Sequence, residues 1–402
     1  MNLDLEQIEK AAKRLAPIIH RTKIERSKTF SDMTGGNIYL KYENQQKTGS
    51  FKIRGAANKV TALVERGEVT SVVASSAGNH AQGVAYASQV NNIPATIVMP
   101  KSAPIAKVSA TEGYGAKVVL AGDCYDDAYK RAVEIQEKEG ATFIHPFDDY
   151  EVMAGQGTIG IEILEDLPTV DVIVVPAGGG GLLAGVAACV KQINPRVKII
   201  GVQAEGAPAI AKSFKEKSRI VSDNVSTIAD GIQVKAPGEK TMEIINEYAD
   251  DVVLVTDAEI SAAILLLLER TKQVVEPAGA TTLAAVLNNK IDVKGKKVAC
   301  LLSGGNIDVS FIHRIIELGL VSRERKLKFS TTLLDIPGSL EHLSHILAEA
   351  NANIVMVQHD RLSADIDPNE AIIHIACEVG GREHGKKVVE RLEKNGYKVV
   401  KE

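Results

Sequence analysis

Short runs of β-branched and other apolar residues alternate along the chain with longer segments in which apolar positions recur every three or four residues. The longer segments, such as 124–140 and 182–193, are typical of helices because this spacing places the apolar side chains on one face. Alternating strands and helices predict an α/β fold with parallel sheets, and the apolar strands indicate sheets covered on both faces. The predicted strands lie at 71–75, 95–99, 116–121, 171–175, 197–203 and 298–303.

The pattern changes near the end of the chain. The charged stretch RERKLK at 323–328 is predicted to be a linker. The residues after it follow the order strand, helix, strand, strand, helix, strand, which is typical of the split βαβ or ferredoxin-like unit. We therefore expect a first domain at 1–325 and a separate second domain at 326–402.

The composition argues against several classes of function. The net charge is −4 and the chain has no Trp, so neither a basic surface nor stacking aromatics favour nucleic acid as a partner. The chain has no run of about 18 apolar residues that would predict a membrane span, and the N-terminus lacks the apolar core of a signal peptide. The four cysteines are scattered without metal-site spacing, which predicts buried free thiols, no metal and a cytoplasmic protein.

Three loops at predicted strand ends carry candidate chemistry, because open α/β sheets bind ligands at that edge. The loop 75–83, SSAGNHAQG, precedes a helix whose first N–H groups would attract a carboxylate. The loop 176–185, PAGGGGLLAG, has four consecutive glycines that allow close approach to an anion. The loop 303–306, SGGN, places a hydroxyl at a strand end. Each loop alone is also explained by helix capping or a tight turn.

The glycine-rich loop also allows a dinucleotide site. Gly179, Gly181 and Ala184 match the G-x-G-x-x-A pattern, and Glu205 follows at the next strand end. A nicotinamide-dependent dehydrogenase is therefore an alternative, although it would need this loop alone. Such a pattern by itself is weak, because glycine-rich turns also occur for packing.

Lys52 changes the balance between these alternatives. It stands directly after Phe51 in SFKIRG, at the start of a predicted helix, where an ordinary surface lysine is the other interpretation. An amine, a phosphate-binding glycine turn, an anion-binding helix start and a strand-end hydroxyl together favour pyridoxal phosphate as the cofactor. The dehydrogenase would leave most of these features without a role.

Five motifs resemble the threonine dehydratase (threonine ammonia-lyase) family, in the fold type II or β-family of pyridoxal phosphate enzymes. They are SFKIRGA, SSAGNHAQGVA, AGQGTIGIEI, VPAGGGGLLAG and LSGGN, and the resemblance covers roughly residues 1 to 320. The C-terminal part, with DIPGSLEHLSHIL after its first strand, resembles a single ACT domain. The whole chain is thus similar to the short form of the enzyme with one ACT domain.

The resemblance implies elimination of ammonia from L-threonine, and from L-serine, to give 2-oxobutyrate or pyruvate. It also implies two catalytic subdomains, the smaller one at roughly 48–150 being inserted in the larger. By position, Lys52 and Ser303 would be the catalytic residues, Lys52 binding the cofactor covalently and Ser303 facing the ring nitrogen. Phe51 would lie beside the ring and Asn79 at the ring hydroxyl. The residues implied around the phosphate are Gly178, Gly179, Gly180, Gly181 and Leu182, and those implied for the substrate carboxylate are Ser75, Ser76, Ala77 and Gly78.

Two departures separate the chain from serine racemases of the same fold. Those enzymes carry a serine as their second proton-transfer group where this chain has Ala77, which disfavours racemisation. Their divalent-metal site uses a Glu and a later Asp; Glu205 remains here, but Ala211 stands at the second position. A serine dehydratase or racemase nevertheless stays an alternative, as does an amino-acid sensor with an inactive catalytic site.

The ACT resemblance implies an amino-acid effector, with isoleucine inhibiting and valine opposing. Effector sites between two copies would make the protein a homodimer or homotetramer. A role toward isoleucine and a role in threonine catabolism are both open. Glu276 either lines the polar edge of the cofactor ring or caps the following helix, and Gln156 and Thr158 either touch substrate or form a structural turn.

Overall fold

The structure is a computed structural model that describes residues 3–322, 324–362 and 367–401. It separates the chain into two compact units, Met1–Asp308 and Val309–Glu402. A helix at Val309–Ser322 belongs to the second unit, so the unit boundary precedes the expected one and the domain limits at 1–325 and 326–402 stay a prediction. Within the described residues, no helix has both the length and the apolar character that a bilayer span requires.

The first unit alternates strands and helices along most of its length. Its strands are β1 (Ile24–Arg26), β2 (Asn37–Lys41), β3 (Val72–Ser75), β4 (Ala95–Met99), β5 (Lys117–Leu120), β6 (Thr142–Phe143), β7 (Val172–Pro176), β8 (Lys198–Ala204), β9 (Asp251–Val255) and β10 (Lys297–Leu301). Its α-helices are α1 (Leu5–Leu15), α2 (Lys28–Thr34), α3 (Lys52–Glu65), α4 (Asn79–Val90), α5 (Ile105–Glu112), α6 (Tyr125–Glu139), α7 (Tyr150–Asp166), α8 (Gly181–Ile193), α9 (Ala209–Glu216), α10 (Glu239–Tyr248), α11 (Asp257–Thr271) and α12 (Pro277–Leu287). Short 3₁₀ helices lie at Glu43–Gln45 and Asp230–Ile232.

These strands form two sheets. The larger has the order β1-β2-β10-β7-β8-β9 and is parallel except for β1. The smaller has the order β5-β4-β3-β6 and is parallel throughout. In chain order the smaller sheet falls between β2 and β7, and the predicted parallel α/β architecture is confirmed. The strands β7 and β8 are buried along almost their whole length because helices cover both faces.

Glycines let α7 approach α3 and α8 closely. A Cβ at Gly155 of α7 would lie 2.4 Å from the carbonyl oxygen of Arg54 on α3. A Cβ at Gly185 of α8 would lie 2.3 Å from the carbonyl oxygen of Met153 on α7. Because any larger residue would force these helices apart, the glycines fix α3, which begins at Lys52, against the rest of the unit.

A cluster of buried charges also joins β2, α3 and α7. The Arg54 side chain is fully buried and donates to both oxygens of Glu43, at 2.8 Å each, and to both oxygens of Glu162, at 2.7 and 3.0 Å. Its fifth N–H bond goes to Thr158, at 3.0 Å. Lys41 is fully buried as well and donates to Glu162 at 2.5 Å. Two cations therefore balance two carboxylates, and every N–H of the guanidinium has an acceptor.

The second unit has one sheet and a core of its own. Its elements are α13 (Val309–Ser322), β11 (Lys326–Leu334), α14 (Ser339–Glu349), β12 (Asn353–Asp360), β13 (Glu370–Glu378), α15 (Arg382–Lys394) and β14 (Val400–Lys401). The strand order is β12-β13-β11-β14 with antiparallel neighbours throughout. From β11 onward this is compatible with the predicted split βαβ unit. Buried residues such as Phe329, Leu343 and Ile375 join the sheet to its helices.

The prediction of a linker at 323–328 is wrong for its second half. Residues 326–328 are the first residues of β11 and pair with β13. Lys326 stands opposite Glu378 in the strand register, and its Nζ forms an ion pair with Glu317 of α13, so its charge is compensated within the fold. Arg323 lies outside the described residues.

One cysteine also differs from expectation. Cys189, Cys300 and Cys377 are buried free thiols, as predicted. Cys124 is exposed, because it occupies the N-cap position of α6, where its Sγ lies 3.3 Å from a carboxylate oxygen of Asp127. The prediction of a buried thiol, which rests on the apolar run beside Cys124, is therefore wrong.

Candidate active site

A cavity of about 820 Å³ opens in the first unit at the carboxyl ends of strands from both sheets. Residues that follow β3, β6, β7 and β10 line it, as expected of a ligand site in an α/β fold. The cavity brings together every residue predicted to bind cofactor or substrate. These are Phe51, Lys52, Ser75, Ser76, Ala77, Gly78, Asn79, Gly178, Gly179, Gly180, Gly181, Leu182 and Ser303.

The backbone around Lys52 is tied to the loop after β10. Lys52 is the first residue of α3, and the N–H of Phe51 before it donates to the carbonyl oxygen of Ser303 at 3.0 Å. Ser50 and Gly304 form a short antiparallel bridge beside this bond. The two residues predicted to be catalytic, Lys52 and Ser303, therefore belong to one hydrogen-bonded unit.

The Lys52 amine is set up to act as a base or nucleophile. Its Nζ donates to the carbonyl oxygen of Pro146 at 3.0 Å and lies 5.3 Å from the centroid of the Phe51 ring. Burial lowers the pKa of Lys52 to about 8, although the charge of Glu276 opposes this shift. An amine with this pKa is partly neutral near pH 7, which both proton removal and attack on an aldehyde require.

The glycine turn packs tightly against neighbouring backbone. Gly180 precedes α8 with a φ of +101°, in the left-handed region that favours glycine. A Cβ at Gly179 would lie 2.4 Å from the Phe147 ring, and one at Gly181 would lie 2.9 Å from the Cα of Phe147. The first N–H groups of α8 have no intrahelical acceptor. This turn can therefore hold a phosphate group on its backbone.

The loop between β3 and α4 offers a second place for an anion. The N-cap residue of α4 is Gly78, which has no side chain to cap the helix. Its N–H donates to the Oγ of Ser76 at 3.2 Å. The hydroxyl of Ser75 is buried and, among the described residues, has no hydrogen-bond partner. Free helix N–H groups beside a hydroxyl suit a carboxylate.

Asn79 links two further residues at the cavity wall. Its Nδ2 donates to the two carboxylate oxygens of Glu276 at 2.9 and 3.0 Å, and its Oδ1 accepts from Asn306 Nδ2 at 2.8 Å. Glu276 occupies the N-cap position of α12, but its side chain makes no capping bond. Of the two interpretations of Glu276, the structure therefore favours a place beside the cavity. Burial raises the pKa of this carboxyl to about 7.

Sequence reasoning missed the segment after β6 and one other contact. His145, Pro146 and Phe147 line the cavity opposite the glycine turn. Thr241 donates its hydroxyl to the carbonyl oxygen of Gly179 at 2.9 Å and so holds the turn in place. A two-residue strand gives too little apolar pattern to be recognised, although its neighbours in the smaller sheet end at the same edge.

Several polar residues in or near the motifs take structural positions. His80 is buried, donates Nε2–H to the carbonyl oxygen of Ile144 at 2.8 Å, and has its pKa lowered to about 3 by burial, so it is neutral. Gln156 and Thr158 are buried in α7, outside the cavity lining. Glu205 is exposed and also outside the lining, which leaves a dinucleotide without its acidic partner.

The donor set fits pyridoxal phosphate. The glycine turn with the start of α8 could hold the phosphate, and Lys52 offers a partly neutral amine for the aldehyde. The Ser303 hydroxyl, on a residue only 2% exposed, is a neutral partner for a ring nitrogen. The loop before α4 leaves room in the same cavity for the carboxylate of an amino acid.

Known proteins are similar to this chain over most of its length. The family model described as pyridoxal-phosphate dependent enzyme matches residues 15–304. An L-threonine ammonia-lyase of Thermotoga maritima is 50% identical over 397 residues, which cover 99% of each chain.

Two solved structures are similar to this chain over four fifths of its length. A threonine deaminase of Solanum lycopersicum is 38% identical, with a TM-score of 0.75, over 80% of this chain and 90% of the other. A maize serine racemase is 35% identical, with a TM-score of 0.75, over 80% of this chain and 99% of the other. The chain belongs to the pyridoxal phosphate-dependent enzymes of fold type II, in the threonine ammonia-lyase family.

Proposed function

We propose that this protein eliminates ammonia from L-threonine, and from L-serine, to give 2-oxobutyrate or pyruvate. The observation that carries the proposal is the meeting of Lys52, the glycine turn and the loop before α4 in one cavity. The name of the bacterial relative, which matches nearly the whole chain, supports threonine as the substrate. The proposed roles of the site residues follow from their positions in this cavity.

The loop at 75–78 is proposed to bind the substrate carboxylate. Its helix N–H groups and the unpartnered Ser75 hydroxyl supply donors without a full positive charge. A carboxylate held there would place the α-carbon of the amino acid in the cavity that the Lys52 amine also lines. Binding by backbone N–H groups also makes the orientation rigid, because α4 is packed into the core through Ala81 and Val84.

Lys52 is proposed to take the α-proton. Bound pyridoxal phosphate supplies the electron sink that makes this proton acidic. The lowered pKa of Lys52, about 8, keeps part of the amine neutral and able to accept a proton near pH 7. Loss of hydroxide from the β-carbon leaves an enamine, which water converts to the 2-oxo acid and ammonia. Ser303 is proposed to act at the ring nitrogen, where its neutral hydroxyl does not stabilise a full positive charge as a carboxylate would.

Racemisation is a second candidate, favoured by the similarity to maize serine racemase. It requires a proton donor on the face of the α-carbon opposite to Lys52. The resemblance puts Ala77, which lines the cavity, at the position of the racemases' proton-donating serine, and its methyl group has no proton to give. Elimination is therefore the function that the site residues support better.

We expect the purified protein with pyridoxal phosphate to show the visible absorbance of a lysine-bound cofactor and to form 2-oxobutyrate from L-threonine. Chiral chromatography of the remaining serine in a parallel reaction tests racemisation. NAD binding without the absorbance band would instead favour the dehydrogenase. An intact band with no oxo acid from either amino acid would favour an amino-acid sensor.

We infer that the second unit contains an ACT-like regulatory domain at 326–402 that binds an amino-acid effector. A cavity of about 440 Å³ between β11, α14 and the turn after α15 supports this proposal. His342 and Tyr397 meet at its wall, with Nδ1 2.8 Å from the phenol oxygen. The edge strand β12 exposes Val355, Met356 and Val357, which supports assembly of two or four copies through this unit.

Isoleucine is expected to lower the rate of threonine elimination and valine to oppose it. The measurement is a titration of each amino acid against 2-oxobutyrate formation, with the molar mass followed by light scattering. The variant Tyr397→Phe removes one hydrogen bond of the proposed effector cavity and should weaken the response while leaving the basal rate unchanged. A rate that neither amino acid alters would contradict the inferred regulation.

A further inference from the structure

Glu276 is a buried carboxyl group without an ionic partner. The residue is 4% exposed, and its hydrogen bonds come from the Asn79 amide and the backbone N–H of Asn306. Among the described residues it takes part in no ion pair, although Lys52 and Lys107 influence it from a greater distance. A buried carboxylate without a cation is costly, and groups of this kind cluster at functional sites.

The donor and acceptor roles of the Asn79 amide are fixed, because the series of hydrogen bonds from Thr48 to Glu276 has an acceptor at each end. The carbonyl oxygen of Thr48 can only accept, so Asn306 must direct Nδ2 to it, at 2.7 Å. The same Nδ2 donates to Asn79 Oδ1 at 2.8 Å. Asn79 then has to direct its own Nδ2 toward Glu276, whose ionised oxygens can only accept. The two oxygens of one carboxylate lie close enough together to share a single N–H, so the second N–H of that Nδ2 remains for the cavity.

We propose that Glu276 is a positioning residue, whose ionised carboxylate fixes the Asn79 amide so that an N–H, and not the carbonyl oxygen, is presented to the ring hydroxyl of the cofactor. This inference rests on the proposed function and on the predicted role of Asn79. Protonation of Glu276 would turn one of its oxygens into a donor and remove the second of the two anchors that orient the amide.

Glu276 packs against the loop that carries Ser303 and is hydrogen-bonded to it. A Cβ at Gly304 would lie 2.4 Å from Glu276 Oε1, and the backbone N–H of Glu276 donates to the carbonyl oxygen of Gly304 at 2.9 Å. Glycine at 304 thus leaves space for this carboxylate beside the cavity. The carboxylate fills this space, and both of its oxygens accept from Asn79 there.

The charges that face Glu276 come from three elements. They are Lys52 of α3, Lys107 of α5 and Asp230 of the short 3₁₀ helix. Burial, followed by the charge of Asp230, raises its pKa to about 7 from 4.5, while Asn79 and Lys107 oppose the shift. The folded protein without cofactor therefore binds this proton more tightly than the unfolded chain. Its stabilising contribution is complete below 4.5 and is lost as the pH rises through about 7.

The central test compares pyridoxal phosphate with its analogue that lacks the ring hydroxyl, each titrated into the cofactor-free protein. We expect Glu276→Gln to weaken binding of pyridoxal phosphate about tenfold, since a charged hydrogen bond becomes a neutral one and the amide is no longer oriented. Binding of the analogue should be unchanged. Glu276→Asp retains the charge and should recover part of the discrimination.

Asp126→Asn is the matched control, because it neutralises another carboxylate of the cavity lining, which pairs with Lys235 and is not one of the charges named above around Glu276. It should leave the preference for pyridoxal phosphate over the analogue unchanged.

Thermal melting of the cofactor-free protein supplies a second readout. The loss of stability between pH 4.5 and about pH 7 should disappear in Glu276→Gln. For the unsubstituted protein, the preference for pyridoxal phosphate should fall as the pH drops through about 7.

The positioning role would be overturned if Glu276→Gln preferred pyridoxal phosphate over the analogue by the same factor as the unsubstituted protein does. An unsubstituted protein whose preference does not change with pH would also overturn it, and this measurement does not depend on how the variants fold. Both outcomes are compatible with normal formation of 2-oxobutyrate. Failure of the proposed function is recognised separately, by an unsubstituted protein that binds the cofactor and forms no oxo acid.

Discussion

Lys52→Ala should abolish the visible absorbance of the lysine-bound cofactor and reduce threonine elimination by about 10³-fold or more. The expected loss is large because the amine has two roles, holding the cofactor covalently and accepting the α-proton. The glycine turn and the start of α8 are untouched, so the variant should still bind pyridoxal phosphate without the covalent link. Absorbance titration and an assay for 2-oxo acid measure the two effects on the same preparation.

The control for this variant is Lys28→Ala, which removes an exposed lysine of α2 that pairs with Asp32. It should keep both the absorbance and the rate. A small primary amine added to Lys52→Ala should restore part of the elimination, because the cavity left by the side chain can admit it. Retention of both the band and the rate in Lys52→Ala would show that the assignment of Lys52 is wrong.

The parallel α/β architecture could be predicted because its signals are local. The strands at 95–99 and 171–175 are short apolar runs between helical segments, and each was found within one residue. The loops after β3, β7 and β10 follow from the rule that ligands bind at one edge of such sheets. The rule therefore predicts that these loops meet at one place, and they line the same cavity in the structure.

Contacts between distant segments could not be predicted in the same way. Phe147 packs on Gly179 and Asn79 meets Glu276, across 197 positions of chain in the second case. The charges at the first residues of β11 resemble a solvated stretch and so predict a linker, whereas pairing with β13 decides their structure. Charged residues indicate that a segment can be exposed to solvent. Whether that segment is a linker or a strand depends on the tertiary partner with which it pairs.

Arg54→Met is the second prediction with a large expected effect, in this case on stability. Arg54 is fully buried and binds Glu43 and Glu162 through four of its five hydrogen bonds. Its removal leaves two buried carboxylates with Lys41 as their remaining cation. Breaking a buried ion pair in this way costs about 3–5 kcal/mol, because the unpaired charge has lost its water without compensation.

The control is Arg21→Met, the same substitution at a surface ion pair. Arg21 binds Glu165 and Asp166 at 2.6 Å each, but its side chain is 52% exposed. Its loss should cost at most about 1 kcal/mol, since water replaces the partner. Urea unfolding followed by circular dichroism compares the two variants with the unsubstituted protein, and equal shifts would contradict the role assigned to the buried cluster.

The free energy of unfolding that Arg54→Met loses should also depend on pH, and the loss should be smaller at lower pH. Burial alone would raise the pKa of Glu43, but the charges of Arg54 and Lys41 outweigh it and hold the pKa below its ordinary value. In the unsubstituted protein this contribution is present above the unfolded-state pKa and is lost as the pH falls through the lower folded value. Without Arg54, burial dominates and the carboxyl takes up a proton more readily. The variant should therefore lose less stability relative to the unsubstituted protein at about pH 5.5 than at about pH 8. Replacing Glu43 by Gln in the Arg54→Met background should recover part of the loss, because the neutral amide needs no counter-charge.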